Sequence, residues 1–200
     1  TLREDRRAPS GCEMQLKDVD VVQEPTEDFP IELKEQTPGF LMDHRHLWIR
    51  TGSQVPILQI SDATFRAFRA FFHERGFVAT EAPILTGASV EGTTTLFELD
   101  YFGDKAYLSQ SGQLYLEATA MALGKVYWIG PAFRAEKSKT RKHVTEFWIA
   151  EAEMAFYDHH ANLALQEDLV RHIVESVVAE RRDELAQLKR DVDHLLEEVR

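Results

Sequence analysis

Cysteine is nearly absent: Cys12 stands alone in 200 residues. One thiol excludes a fold stapled by intrachain disulfides, and no Cys/His spacing suggests structural zinc or another metal site. It fits a reducing, cytoplasmic setting. No apolar run approaches the ~20 residues of a membrane-spanning helix, and no signal peptide is visible. The chain therefore reads as soluble, with no membrane partner. Positive charge is also scarce. The 23 Lys and Arg against 34 Asp and Glu leave a net charge of -11, which speaks against a generic nucleic-acid coat. That scarcity makes its clustering informative. Lys137, Lys139, Arg141 and Lys142 fall within six positions, and local positive potential on an acidic chain is most simply explained by an anionic ligand.

The cluster sits inside a hairpin pattern. Val126-Tyr127-Trp128-Ile129 is β-branched and aromatic, so it reads as a strand. Gly130-Pro131 is expected to interrupt it, with Phe133-Arg134-Ala135-Glu136 resuming. Residues two apart on a strand share a face, so Arg134 and Glu136 point the same way. After the basic loop, Glu146 to Tyr157 alternates again. Trp148, Ala150, Ala152, Met154 and Phe156 share one apolar face, and Phe147, Ile149, Glu151 and Glu153 share the other. The pattern predicts an antiparallel pair with an apolar back and a polar front. Arg134 suits phosphate because its planar fork bonds bidentately. The bland alternative is a solvated charge run beside a surface Arg–Glu pair.

Helices flank this hairpin. Phe65, Phe68, Phe71 and Phe72 have helical spacing, with Ser61 or Asp62 as the expected cap and Gly76 as the stop. A strand over Phe77–Thr80 follows. A helix is predicted from Gln113 to Leu123, with Ser109 or Ser111 as its cap. Ala161 to Arg200 is expected to be helical, capped by Asn162 or Asp158. Its charged second half, Glu180 to Arg200, reads either as an amphipathic helix or as a partner-binding coiled coil. Near the start, Lys17–Val22 reads as a strand, and Gln23 to Gly39, with Pro25, Pro30 and Pro38, reads as a linker.

The wording Phe-Arg-Ala-Glu-Lys-Ser-x-Thr from Phe133, then His-x-Thr-Glu-Phe-Trp from His143, resembles motif 2 of the class II aminoacyl-tRNA synthetases. It is most similar to the aspartyl/asparaginyl/lysyl subgroup, and within it to the asparaginyl branch. Leu41–Arg50 resembles the entry to the catalytic domain, and Phe65–Pro83 resembles motif 1. Glu91–Phe97 resembles the substrate-gating loop, and Tyr107–Tyr115 the Gln-Ser-x-Gln strand of the amino-acid pocket.

The resemblance implies an α+β fold: a class II antiparallel sheet flanked by helices, preceded by the tail of an OB-fold β-barrel. Residues 1–24 would be the remnant of that anticodon-binding barrel, 25–40 a linker, and 41–200 the N-terminal part of the catalytic domain. Arg134 would bridge the α-phosphate of ATP and the amino acid's carboxylate. Glu136 would hold the adenine amino group or an adjacent part of the nucleotide, His143 and its neighbouring cation Lys142 would meet the γ-phosphate, and Phe147 would stack on adenine. Glu91, Gln110 and Gln113 would read the amino acid. The family usually has Arg where Lys142 stands, which keeps the charge but loses the fork.

The implied activity is ATP-dependent activation of asparagine and its transfer to tRNA by a homodimer joined through motif 1. An aspartyl or non-discriminating enzyme, and a paralogue that charges no tRNA, are the alternatives. No Gly-x-Gly-x-x-Arg run is found. The resemblance therefore implies a fragment without motif 3, inactive alone, whose Mg²⁺ ligands lie further on.

Overall fold

A computed structural model describes residues 1–8, 10–31, 34–87, 95–137, 140 and 143–199. The chain divides into two compact units, Thr1–Arg50 and Thr51–Arg200. In the first, β1 (Leu2–Glu4) pairs antiparallel with β2 (Cys12–Met14). Two short helices, α1 (Pro38–Asp43) and α2 (Arg45–Trp48), follow. Thr37 caps α1 by accepting from Phe40 N, and Pro38 stands where its missing N–H is not needed. The expected strand over Lys17–Val22 does not form. Those residues are exposed and no neighbouring strand offers them a ladder.

The second unit carries the sheet that positions the site. Helix α3 (Gln54–Glu74) leads through Gly76, in the left-handed region at φ 74°, into β3 (Val78–Ala79). Only glycine enters that region without penalty, so the turn is sharp and immediate. The ammonium of Lys125 donates to Arg75 O at the helix end. β3 pairs parallel with β7 (Lys125–Phe133), which pairs antiparallel with β8 (Glu146–Met154). A second sheet has the order β4 (Leu85–Thr86), β6 (Asp104–Leu108), β5 (Glu98–Tyr101). Helix α4 (Gln113–Leu123) connects β6 to β7, and α5 (His159–Gln187) and α6 (Val192–Glu197) follow β8.

Strand alternation divides the β7–β8 hairpin between two cores. Tyr127, Ile129, Ala152 and Met154 point back onto Phe71, Phe72 and Phe77 and onto Leu165 and Leu169 of α5. Phe72 stacks on Tyr127 with centroids 4.7 Å apart. Val126, Trp128 and Ile149 point forward onto Leu116 and Ala120 of α4. A third cluster ties Ala63 of α3 to Val177, Val178 and Leu185 of α5 and Val192 of α6. Arg66 spans the same helices, donating to both oxygens of Glu180 at 3.0 and 2.6 Å.

Several expectations are corrected. Gly130-Pro131 does not interrupt β7, which runs unbroken to Phe133 and ends there, leaving Arg134–Glu136 beyond the strand. The ladder explains this. Arg134 N donates to Thr145 O, so in an antiparallel pair the even-numbered residues of β7 face β8 with their backbone groups. Pro131 is odd. Its missing N–H falls on the side where β3 has already ended, and a proline there breaks no ladder bond.

Helix α3 begins at Gln54 rather than at Ser61 or Asp62, because Pro56, Ile60, Ala63, Ala67 and Phe71 continue its inner stripe N-terminally. Asp62 instead pairs with Arg66 one turn on. The C-terminal segment is not one continuous helix. It kinks at Arg181, breaks after Gln187, and folds α6 back onto the α3–α5 core. That packing removes the coiled-coil reading. Phe156 leaves the apolar face: β8 ends at Met154, and Phe156 lies fully exposed at φ 67°. The N-cap of α4 is Gly112 and neither serine: Ser111, one residue earlier, accepts from Gln113 N, and the buried Ser109 hydroxyl takes no part in capping. Asp158, not Asn162, caps α5.

Candidate active site

The site lies where the hairpin emerges from the sheet. Three segments converge on the end of β7 and the two residues after it. Phe133 N donates to Ser109 O at 2.9 Å, Arg134 N to Thr145 O at 3.0 Å, and Ala135 N to Thr95 O at 2.7 Å. The backbone on both sides of Arg134 is thereby fixed, and its side chain continues the front face of Trp128, Gly130 and Ala132. Its guanidinium carbon lies 5.7 Å from the ring centroid of Phe147, within cation–π range. Phe147 stands directly opposite Ala132, so the small side chain of Ala132 leaves the ring's surroundings open. A planar cation over an aromatic face, on a half-buried strand, offers one group for a phosphate or carboxylate and one for a flat heterocycle.

Gln110 joins this constellation. It is buried, and its Nε2 donates to Thr95 Oγ1 at 2.7 Å. Gln113 stands three residues on, exposed as the first residue of α4, with its amide donating to Glu117 at 2.9 Å. Glu136 and His143 are both exposed at the open end of the hairpin, and His143 Nδ1 shares a hydrogen bond with the Thr140 hydroxyl. Glu91 and Lys142 lie outside the described residues. The structure thus brings Arg134, Phe147 and Gln110 together through their backbones and Thr95, and sets Glu136, His143 and Gln113 on the accessible rim.

Two contributors were not singled out from the sequence. Thr95 serves both Ala135 and Gln110. Glu151, on the front of β8, accepts from Gly112 N at 2.7 Å and from the Ser111 hydroxyl. It pins the turn that leads into α4. The available signal was a pair of glutamates, Glu151 and Glu153, on the strand face that also carries Phe147 and Ile149. Farther along the same face, burial and the carboxylates of Glu117 and Glu151 push Glu153 above the ordinary glutamate range. Among the described residues, no group of three or more His, Cys, Asp or Glu is placed to hold a metal ion. No helix among them is long and apolar enough to cross a membrane.

The sheet sets a parallel strand beside a two-stranded antiparallel hairpin, with the long helix α3 packed behind and Arg134 just past the end of β7. A family model described as tRNA synthetases class II (D, K and N) matches residues 38–197, and the chain belongs to that family. An asparagine–tRNA ligase of Pelotomaculum thermopropionicum is 54% identical over 195 residues, covering 98% of this chain and 45% of that one. One from Thermus thermophilus is 54% identical over 191 residues, covering 95% and 44%. The crystal structure of asparaginyl-tRNA synthetase from Pyrococcus horikoshii complexed with asparaginyl-adenylate superposes with a TM-score of 0.87 at 40% identity, covering 97% of this chain and 45% of that chain. The chain therefore spans a little under half the length of these relatives.

Proposed function

We propose that this chain is the ATP- and amino-acid-binding part of an asparagine–tRNA ligase. The observation that carries the reading is the Arg134–Phe147 pair beside Gln110, held on the front of the β7–β8 hairpin. The likeness to a structure whose bound ligand is an asparaginyl-adenylate supports it. Arg134 bridges the α-phosphate and the amino acid's carboxylate, holding the attacking oxygen in line with the α-phosphorus. Pyrophosphate leaves, and no covalent enzyme intermediate is needed. Catalysis is then positioning plus stabilisation of charge on the phosphate oxygens. Phe147 takes the adenine face, Glu136 the adenine amino group, and Lys142 and His143 the γ-phosphate. Glu91, Gln110 and Gln113 read the amino acid, and the adenylate passes to tRNA.

Mg²⁺ would supply charge neutralisation at the phosphates when bound. Among the described residues no group of three or more His, Cys, Asp or Glu is placed to hold it. The same reading takes residues 1–24 as the end of an OB-fold barrel, 25–40 as its linker, and 41–200 as the start of the catalytic domain. It also places a homodimer interface along Phe65–Pro83 and the protein in the cytoplasm.

The test is amino-acid-dependent ATP–pyrophosphate exchange by the full-length gene product, with asparagine and aspartate side by side. Exchange with asparagine alone is expected, and Arg134→Ala should lower kcat/KM by about 10²–10³, as loss of a transition-state donor does. Exchange with aspartate would move the assignment to an aspartyl or non-discriminating enzyme. None with either would leave a paralogue that charges no tRNA.

A further inference from the structure

Trp128 has no place in the chemistry above, yet its indole lies under the pocket turn. It is only 4% exposed and sits on the front face of β7 against Leu116, Ala120 and Val126. The ring extends along the strand over Gly130, where a Cβ would fall 2.1 Å from Cζ2, and beneath Gly112, where a Cβ would fall 2.7 Å from Cε3. Gly112 has an ordinary right-handed backbone, φ -85° and ψ -5°, that any residue could adopt. Close approach, chiefly to the indole and secondarily to Ala82, whose Cβ would lie 3.1 Å away, is what requires glycine there rather than conformation. The same residue is held from the side, where Gly112 N donates to Glu151 Oε2, and Glu151 is the cross-strand partner of Trp128.

We propose that Trp128 is a positioning residue whose indole sets the depth of the Ser111–Gly112 turn, and through it the reach of Gln110 and Gln113 into the amino-acid pocket. The turn rests between a flat aromatic surface below and a carboxylate at its flank. A hydrogen bond alone fixes distance along one line. The ring removes the remaining freedom to sink. Gln110 stands two residues before Gly112 and Gln113 one after, so a change in the height of Gly112 is passed to both. The proposal rests on the reading of this pocket as the amino-acid site. It assigns amino-acid affinity to a residue that touches neither ATP nor the attacking carboxylate.

The test is exchange kinetics on the full-length gene product, after the amino acid that supports exchange has been identified with the unaltered protein. Trp128→Ala should raise KM for that amino acid at least about tenfold, since an ångström of misplacement is costly in a preorganised site. KM for ATP should stay within about twofold, and Trp128→Phe should recover most of the loss. Should Trp128→Ala not fold, Gly112→Ala tests the same contact from the other side. It should raise the amino-acid KM alone, and Trp128→Phe added to it should lower that KM again by making room.

Equal rises in both KM values, a lower active fraction with unchanged KM, or no compensation in the double variant would each overturn the proposal. If aspartate rather than asparagine supports exchange, the asparagine reading fails, and the Trp128 proposal is judged on the aspartate KM. Exchange with neither removes the pocket and the proposal together.

Discussion

The back and front of the β7–β8 hairpin are built from the same two strands and do opposite work. The back is an aromatic core, where the rings of Phe71, Phe77 and Tyr127 each lie within 5.5 Å of the Phe72 ring, the first two edge to face and the third stacked. The front begins as core at Val126 and Trp128, thins to Gly130 and Ala132, and ends at Arg134 and Phe147. A period of two lets alternate residues answer to different demands. The back anchors the strands, so the front can afford small residues and a cation where a ligand has to fit.

Truncating the back should have the largest effect on stability. Phe72→Ala removes a buried ring that contacts both Tyr127 and Phe77, and a loss of about 3–5 kcal/mol is expected in urea denaturation. Folded protein that remains should keep its amino-acid KM. A shifted KM with little lost stability would break the division between the faces.

Adding one carbon to the front should do less to stability and more to the site. Gly130→Ala forces the Trp128 indole aside, and overpacking of this kind costs about 1–3 kcal/mol. The near-ultraviolet circular dichroism of the indole should change with it. An unchanged spectrum would mean that the ring does not lie along the strand.

The smallest effect should come from Glu153, at the closed end of the front face. Its raised affinity for protons favours the folded state at low pH and penalises it once the group ionises. Glu153→Gln should therefore raise the melting temperature slightly at pH 7. The gain should shrink as pH falls through the folded pKa towards the ordinary value of 4.5. A gain independent of pH would place the benefit in packing instead of charge.

Much of this was legible in the residues. Helix α4 runs from Gln113 to Leu123, the bounds its pattern predicts, and the alternation of β8 correctly sorts Ala152 and Met154 from Ile149 and Glu151. Arg134 stands out because it is paired with Glu136 just before a cation-rich loop, which is conspicuous on an acidic chain. The misses share a cause, which is that they depend on a neighbour. Pro131 fits inside a strand only because β3 ends short of it. Ser61 and Asp62 look like caps until the inner stripe is followed back to Pro56. The C-terminal segment reads as one helix until α6 is seen to have α3 and α5 to fold against. Trp128 reads as ordinary strand filling, since nothing in its local sequence reveals that Gly112 will come to rest on it.

The position of β8 at the edge of its sheet has a kinetic consequence. Among the described residues the sheet order is β3-β7-β8, so β8 has a ladder on one side. The amides of Phe147, Ile149, Glu151 and Glu153 point into β7, and those of Trp148, Ala150, Ala152 and Met154 point away. Deuterium uptake along this strand should therefore run slow and fast at alternate residues, although all nine belong to one rigid element. If another strand came to lie on that edge, the fast set would slow while the slow set stayed as it was. The strand thus carries its own residue-by-residue gauge of whether the sheet has been extended.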